Sequence, residues 1–233
     1  MELYCGTSGF SFKEWKGPFY PDKLPNDRML GFYAERLPAV EINNTFYRIP
    51  KKDVVAGWRE QVPPSFRFVV KASRRISHIK RLHDCAEPAA YFFGSIAELG
   101  DRLGAVLVQL PPHLRCDVGK LETFLDLVPK GIAIAFEFRH ESWQDDAVLA
   151  ALAAHDAALV VADEDGKPPK TLPAPASWTY LRLRAPDYPP ARLRAWHKRL
   201  ASFERAFVFF KHEDDGTGPK LAERMQKLSG SEP

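Results

Sequence analysis

The chain has 233 residues, 45% of them apolar and 27% charged, with a formal net charge of +3. That length buries a sizeable core, as one large α/β domain or two small ones, and the composition excludes disordered and fibrous classes. A charge this mildly basic does not by itself argue for a nucleic-acid partner.

No run approaches the roughly 18 apolar residues a membrane helix needs, and MELYCGTSGF at the N-terminus lacks the basic-then-apolar pattern of a secretory signal. Cys5, Cys85 and Cys116 are odd in number and far apart, so neither a disulfide framework nor a cysteine metal knuckle is expected, and a cytoplasmic location fits.

Along the chain, apolar strand-like runs alternate with amphipathic stretches of helical period, the pattern of βα units and a parallel sheet. Strands are expected at 2–5, 39–43, 66–71, 105–110, 132–138, 157–163, 178–184 and 207–211. Helices are expected at 26–37, 52–61, 87–100, 118–128, 144–155, 190–203 and 217–228. Eight strands with right-handed crossovers close into a TIM-like (β/α)8 barrel, and the length is close to the ~250 residues typical of that fold. The prolines of EDGKPPKTLPAPAS, residues 164–177, predict a loop in place of the sixth helix. No linker or repeat divides the chain, so residues 1–233 are taken as one domain, with an open doubly wound sheet as the competing fold.

Alternation within the strands favours the barrel, because neighbouring side chains face opposite sides. Ile132, Ile134, Phe136 and Phe138 form an apolar set, whereas Ala133, Ala135, Glu137 and Arg139 form the other. Likewise AVEINNTFYR separates Val40 and Ile42 from Glu41 and Asn43. The interior set turns polar toward the C-terminal end of each strand, where barrel enzymes build their sites. Glu41, Asn43, Lys71, Gln109, Glu137, Arg139, Asp163, Arg182, Arg184 and Lys211 are therefore expected to converge on one mouth.

The motifs GTSGFSFKEWKGPFYP, VEINNTFYRIP, FRFVVKASRRISH, LGDRLGAVLVQLPP and FEFRHESW closely resemble the YecE-like family of bacterial proteins, a domain of unknown function, in the right order over nearly the whole chain. The resemblance implies a TIM-barrel fold and brings no established activity. Two places depart from the family pattern: Arg184 and Ala185 stand where His and Gly are expected, and KHEDDG, residues 211–216, replaces an Asn-rich segment.

Glu41 and Glu137 are the candidate catalytic acid and base, since two carboxylates in a cleft can acquire protonation states suited to proton transfer. The plainer alternative is an interior ion-pair layer in which Lys71, Arg139 and Arg182 neutralise them. For substrate binding, the Gly6–Thr7–Ser8 stretch and Gly9 are expected to offer backbone N–H groups and hydroxyls to an anion, or else to form only a tight turn. Asn43, Gln109 and Asp163 would orient the substrate, Lys71, Arg74, Arg139 and Arg182 would hold its charge, and His140 and Trp143 of FEFRHESW complete the set. Trp15 and Tyr20 are read as core first and pocket wall second.

The favoured reading is an enzyme, a hydrolase or isomerase, acting on a small anionic, phosphate-bearing substrate. The basic run KASRRISHIKRLH, residues 71–83, carries the alternative of a nucleic-acid-binding or phosphodiester-acting protein. A third reading is a ligand-binding barrel without turnover. No cofactor is expected. A divalent metal on Glu41, Glu137, His140 and Asp163 is only the minor alternative, because no metal-ligand spacing is present and nearby cations oppose it.

Overall fold

The computed structural model describes residues 1–163, 169–212 and 214–230. Eight parallel strands close on themselves in sequence order: β1 (Glu2–Ser8), β2 (Ala39–Ile42), β3 (Arg67–Lys71), β4 (Leu103–Gln109), β5 (Ile134–Glu137), β6 (Ala158–Asp163), β7 (Trp178–Leu183) and β8 (Arg205–Phe210). Closure is made by β1 against β8, in register from Glu2 opposite Arg205 to Thr7 opposite Phe210. The barrel expected from the alternating pattern is the fold, and the open sheet is excluded, because a closed barrel leaves no strand edge unpaired.

Among the described residues seven α-helices cover the outside: α1 (Met29–Ala34), α2 (Lys52–Glu60), α3 (Ala86–Ile96), α4 (Val118–Leu125), α5 (Asp146–Ala154), α6 (Pro190–Leu200) and α7 (Thr217–Leu228). Between β6 and β7, residues 169–177 form no helix; the rest of the expected Pro-rich loop, residues 164–168, lies outside the described residues. The helix expected at 26–37 is shorter, a 3-10 turn at Asn26–Arg28 running into six residues of α1. The one expected at 87–100 ends at Ile96 and continues as a 3-10 stretch that Gly100 breaks with φ 55. Capping follows local chemistry: Asp117 accepts from the Lys120 N–H at the start of α4, and Asp145 from the Ala147 N–H at α5.

Two hydrophobic clusters result from the strand alternation. The larger lies between strands and helices and contains Val40, Ile42, Phe68, Val70, Val106, Val108, Ile134 and Phe136. The smaller fills the barrel interior, and it is lopsided. Alanines at 39, 105, 135 and 158 on one side face large aromatics on β7, β8 and β1, among them Trp178, Tyr180, Phe207, Phe209 and Tyr4. Tyr4 stacks on Phe207 with centroids 5.2 Å apart. Gly104 belongs to the same accommodation, since a Cβ there would lie 2.8 Å from the Phe207 ring. Small residues leave the volume that the rings fill, which is how a barrel centre reaches close packing. Above this apolar plug the interior becomes polar.

Candidate functional site at the C-terminal mouth

The polar layer is organised by Arg182. Its neighbours on β7 alternate inward as Trp178, Tyr180 and Arg182, and the guanidinium reaches across the barrel to two carboxylates. One nitrogen, Nη2, donates to Glu41 Oε1 at 2.8 Å, and Nη1 donates to Glu137 Oε2 at 2.5 Å. Glu41 is fully buried and also accepts from the Tyr180 hydroxyl at 2.6 Å and from Asn43 Nδ2 at 2.8 Å. Glu137 is drawn toward the rim on its other oxygen, where Arg184 Nη2 lies at 3.3 Å and Arg139 Nε at 3.5 Å.

Burial alone would push both carboxyls up in pKa. Arg182, Tyr180 and Asn43 outweigh it and hold Glu41 at about 2. Arg182 and Arg184 bring Glu137 below the usual carboxylate range. Burial also works against the charge of Arg182, but Glu41 and Glu137 raise its pKa instead. Two anions and a cation thus fix one another in their charged forms.

Lys71, at the end of β3, sits above this layer. Its ammonium donates to Gln109 Oε1 at 2.9 Å and lies 4.4 Å from the centre of the Phe46 ring. Burial first, and the adjacent Arg182 second, lower its pKa to about 8 against the pull of Glu41 and Glu137. Its position is secured through its own backbone, whose carbonyl accepts from Thr45 Oγ1 at 2.6 Å.

These groups open onto a cavity of about 580 Å³, within the range usual for small-molecule sites. Its lining is divided. Phe10, Phe12, Phe46, Tyr47 and Trp58 come from the segments after β1 and β2, whereas Lys71, Arg139, Arg182, Arg184 and Lys211 come from the ends of β3, β5, β7 and β8. Ser8, Asn43 and Gln109 add polar groups, and among the described residues no carboxylate lines the cavity. Among the described residues, Arg182 Nε is a buried donor with no acceptor.

Glu41, Asn43, Lys71, Gln109, Glu137, Arg139, Arg182, Arg184 and Lys211, expected to converge, are brought together. Most of the other expected residues fall elsewhere. Strand β1 runs to Ser8 rather than ending at Cys5, so Gly6–Ser8 belong to the sheet and form no free loop of N–H donors. The Thr7 N–H donates to the Tyr33 hydroxyl at 2.9 Å and its own hydroxyl to the Gly9 carbonyl at 2.6 Å, which places Thr7 against α1 and not in the cavity. Only Ser8 and Gly9 of that stretch line it. Asp163 shares the outward face of β6 with Leu159 and Val161, which pack on the outer core, and it accepts from the Tyr188 hydroxyl at 2.7 Å. Its strand parity already places it there.

Arg74 is exposed beside a π-helical turn, Arg75–Ile79, that the sequence reading treats only as part of a basic loop. His140 caps the 3-10 turn Glu141–Trp143, its Nδ1 accepting from the Ser142 N–H. Trp143 is buried flat against Phe138, with centroids 4.4 Å apart, and donates to the Leu114 carbonyl. Trp15 and Tyr20 are both 1% exposed and back the cavity wall without lining it, Trp15 against Phe12 and the Tyr20 hydroxyl donating to the Phe10 carbonyl. No group of three or more His, Cys, Asp or Glu residues is arranged to hold a metal among the described residues. Tyr180 and the aromatic wall went unnoticed in the sequence. Tyr180 had a signal, sharing the parity of Arg182 in WTYLRLR.

A closed eight-stranded α/β barrel with its polar groups at the C-terminal mouth is a TIM-type barrel carrying its site where enzymes of that fold carry theirs. The chain belongs to the family described as protein of unknown function DUF72, whose model matches residues 4–233. It is similar to the UPF0759 protein YecE of Escherichia coli, 36% identical over 109 residues, which is 46% of this chain and 40% of that protein. It is also similar to the UPF0759 protein YunF of Bacillus subtilis, 26% identical over 150 residues, 60% of this chain and 52% of that one. The matched stretches thus span about half the length of these relatives or less. Among solved structures, a DUF72 family protein from Thermotoga maritima superposes with a TM-score of 0.83 at 26% identity, covering 99% of this chain and 100% of the other. A DUF72 family protein from Enterococcus faecalis gives 0.80 at 24%, covering 99% and 96%. No helix among the described residues is long and apolar enough to cross a membrane.

Proposed function

We propose that the protein is an enzyme that binds a small anionic, phosphate-bearing substrate in the mouth of its barrel. The observation that carries this reading is the charge of the cavity: among the described residues, five cations line it and no carboxylate does. The two buried carboxylates beneath them leave positive charge in excess in a concave site, which attracts an anion. Arg182 is the fixed element, clamped from below by Glu41 and Glu137, while Arg139, Arg184 and Lys211 complete the cradle from the rim.

Ionised carboxylates accept protons and do not donate them. On this reading Glu137, whose Oε1 is in contact with the rim arginines, is the proton acceptor, and fully buried Glu41 positions Arg182. An isomerase or lyase, which needs a base beside an electrostatic clamp, suits this set better than a hydrolase that depends on a protonated acid.

A thermal-shift series tests it. Inorganic phosphate and a panel of sugar phosphates at millimolar concentration are expected to raise Tm, because a ligand of the native state stabilises it in proportion to ln(1 + [L]/Kd). The rise should shrink in Arg139→Gln and Lys211→Gln, whose side chains are exposed at the rim. An equal rise in both variants, or no rise with any anion, overturns the site. Stabilisation by oligonucleotides alone, erased by moderate salt, would transfer the function to the exposed cations of residues 71–83.

A further inference from the structure

Among the described residues two lysines reach the cavity, and their settings differ. Lys211 is exposed just beyond the end of β8. Lys71 is half-buried, with its amine fixed between the Gln109 amide oxygen and the Phe46 ring. The charged groups around Lys71 come from every neighbouring element. Glu41 lies on β2, Glu137 and Arg139 are at the end of β5, Arg182 is on β7, and His78 is on the π-helical turn. The two carboxylates are already engaged by Arg182, so Lys71 has no carboxylate of its own and faces guanidinium groups. An anion-binding role would suit an ammonium at any depth. A primary amine in a cation-lined cavity, facing arginines and with its nearby carboxylates already paired to Arg182, is an arrangement that makes lysine a nucleophile.

We propose that Lys71 is a covalent catalytic residue that forms an imine with the carbonyl carbon of an anionic aldehyde or ketone held in the cavity. This rests on the anion-site reading above and names the substrate class within it: a carbonyl compound carrying phosphate or carboxylate. The neutral amine adds to the carbonyl carbon and its nitrogen loses a proton to give a carbinolamine. Departure of the hydroxyl oxygen as water, with one added proton, then leaves a C=N bond between Lys71 Nζ and the substrate. No electrons are gained or lost, and water is the only other product. The protonated imine draws electrons from the adjacent carbon and so acidifies the C–H bonds there.

The lowered pKa of Lys71, at about 8, agrees with this geometry, since it makes neutral amine available near physiological pH. Gln109 contributes an acceptor that orients Nζ without supplying the negative charge that would keep it protonated.

The test is reductive trapping. The full chain is incubated with pyridoxal 5′-phosphate, a phosphate-bearing aldehyde, near pH 7.5, reduced with borohydride and mapped by peptide mass spectrometry. Lys71 is expected to be labelled faster than Lys211 by roughly tenfold or more, the neutral amine being the reactive form. Inorganic phosphate should compete, pyridoxal without the phosphate should label Lys71 more weakly, and Lys71→Arg, which keeps the charge, should abolish the product while the variant still gains Tm with phosphate. Labelling of Lys71 no faster than of the surface lysines, with phosphate still stabilising the wild type, overturns the imine and leaves the anion site standing. Absence of both labelling preference and phosphate stabilisation overturns both.

Discussion

Arg182 lies at the centre of the site because its two terminal nitrogens bind carboxylates from two other strands, Glu41 of β2 and Glu137 of β5. Removing one member of a buried ion network leaves its partners charged and unpaired, at a cost of about 3–5 kcal/mol. Arg182→Met should therefore destabilise the protein by that order, read as a drop in the denaturation midpoint. Adding Glu41→Gln and Glu137→Gln to it should recover a good part of the loss, because uncharged amides no longer need the guanidinium. If the triple variant is no more stable than Arg182→Met, the network does not act as the unit its geometry describes. The inward side chains Glu41, Glu137 and Arg182 were legible from strand alternation alone. The partner of each was not, since Arg182 lies 141 residues from Glu41 in the chain. The pairing depends on which strands stand opposite one another once the barrel closes.

At the level of single elements, β1 shows how a strand and a glycine serve the site together. Ser8 reaches the cavity only because the strand continues past Cys5, and Gly6 lets it pass close to β2. A Cβ at residue 6 would fall 1.9 Å from the Ala39 carbonyl oxygen and 3.1 Å from the Tyr33 hydroxyl, which itself donates to that oxygen. Gly6→Ala should push β1 away from β2 and cost about 3 kcal/mol, at the upper end for overpacking. A circular-dichroism melt indistinguishable from wild type would show that the strands can part without loss. Gly6 in the sequence suggested a turn, because glycine commonly serves turns. Its use as a point of close backbone approach becomes visible only with β2 and α1 in place. The π-helical turn at Arg75–Ile79 is similar, as no local pattern in RISHI specifies its wider winding.

Across the whole molecule, the charged layer ties stability to pH. Glu41 has its pKa lowered from 4.5 to about 2 on folding, so the folded state binds its proton less readily than the unfolded chain. Its contribution is fully present above pH 4.5 and is lost as pH falls from there toward 2. At ~1.4 kcal/mol per pKa unit the loss is roughly 3 kcal/mol, and Glu137, shifted in the same direction, adds to it. Denaturant titrations at pH 7 and pH 3 should show about 2 kcal/mol of this fall from Glu41 in the wild type, since pH 3 lies only part of the way down, and a smaller fall in Glu41→Gln. Equal falls in both would place the acid sensitivity elsewhere.

The sequence by itself determined that this chain forms a parallel barrel, with apolar side chains outward and polar groups inward at the strand ends. Periodicity is a local property, and each strand carries it within a few residues. Strand parity even held the correct answer for Asp163, which alternates with Leu159 and Val161 on the outer face. Only the tertiary structure decided which charges pair, which residues line the cavity and which lysine is half-buried among arginines. Those outcomes depend on strand order, on the stagger of the closed sheet and on burial, and each sets residues far apart in the chain within hydrogen-bonding distance.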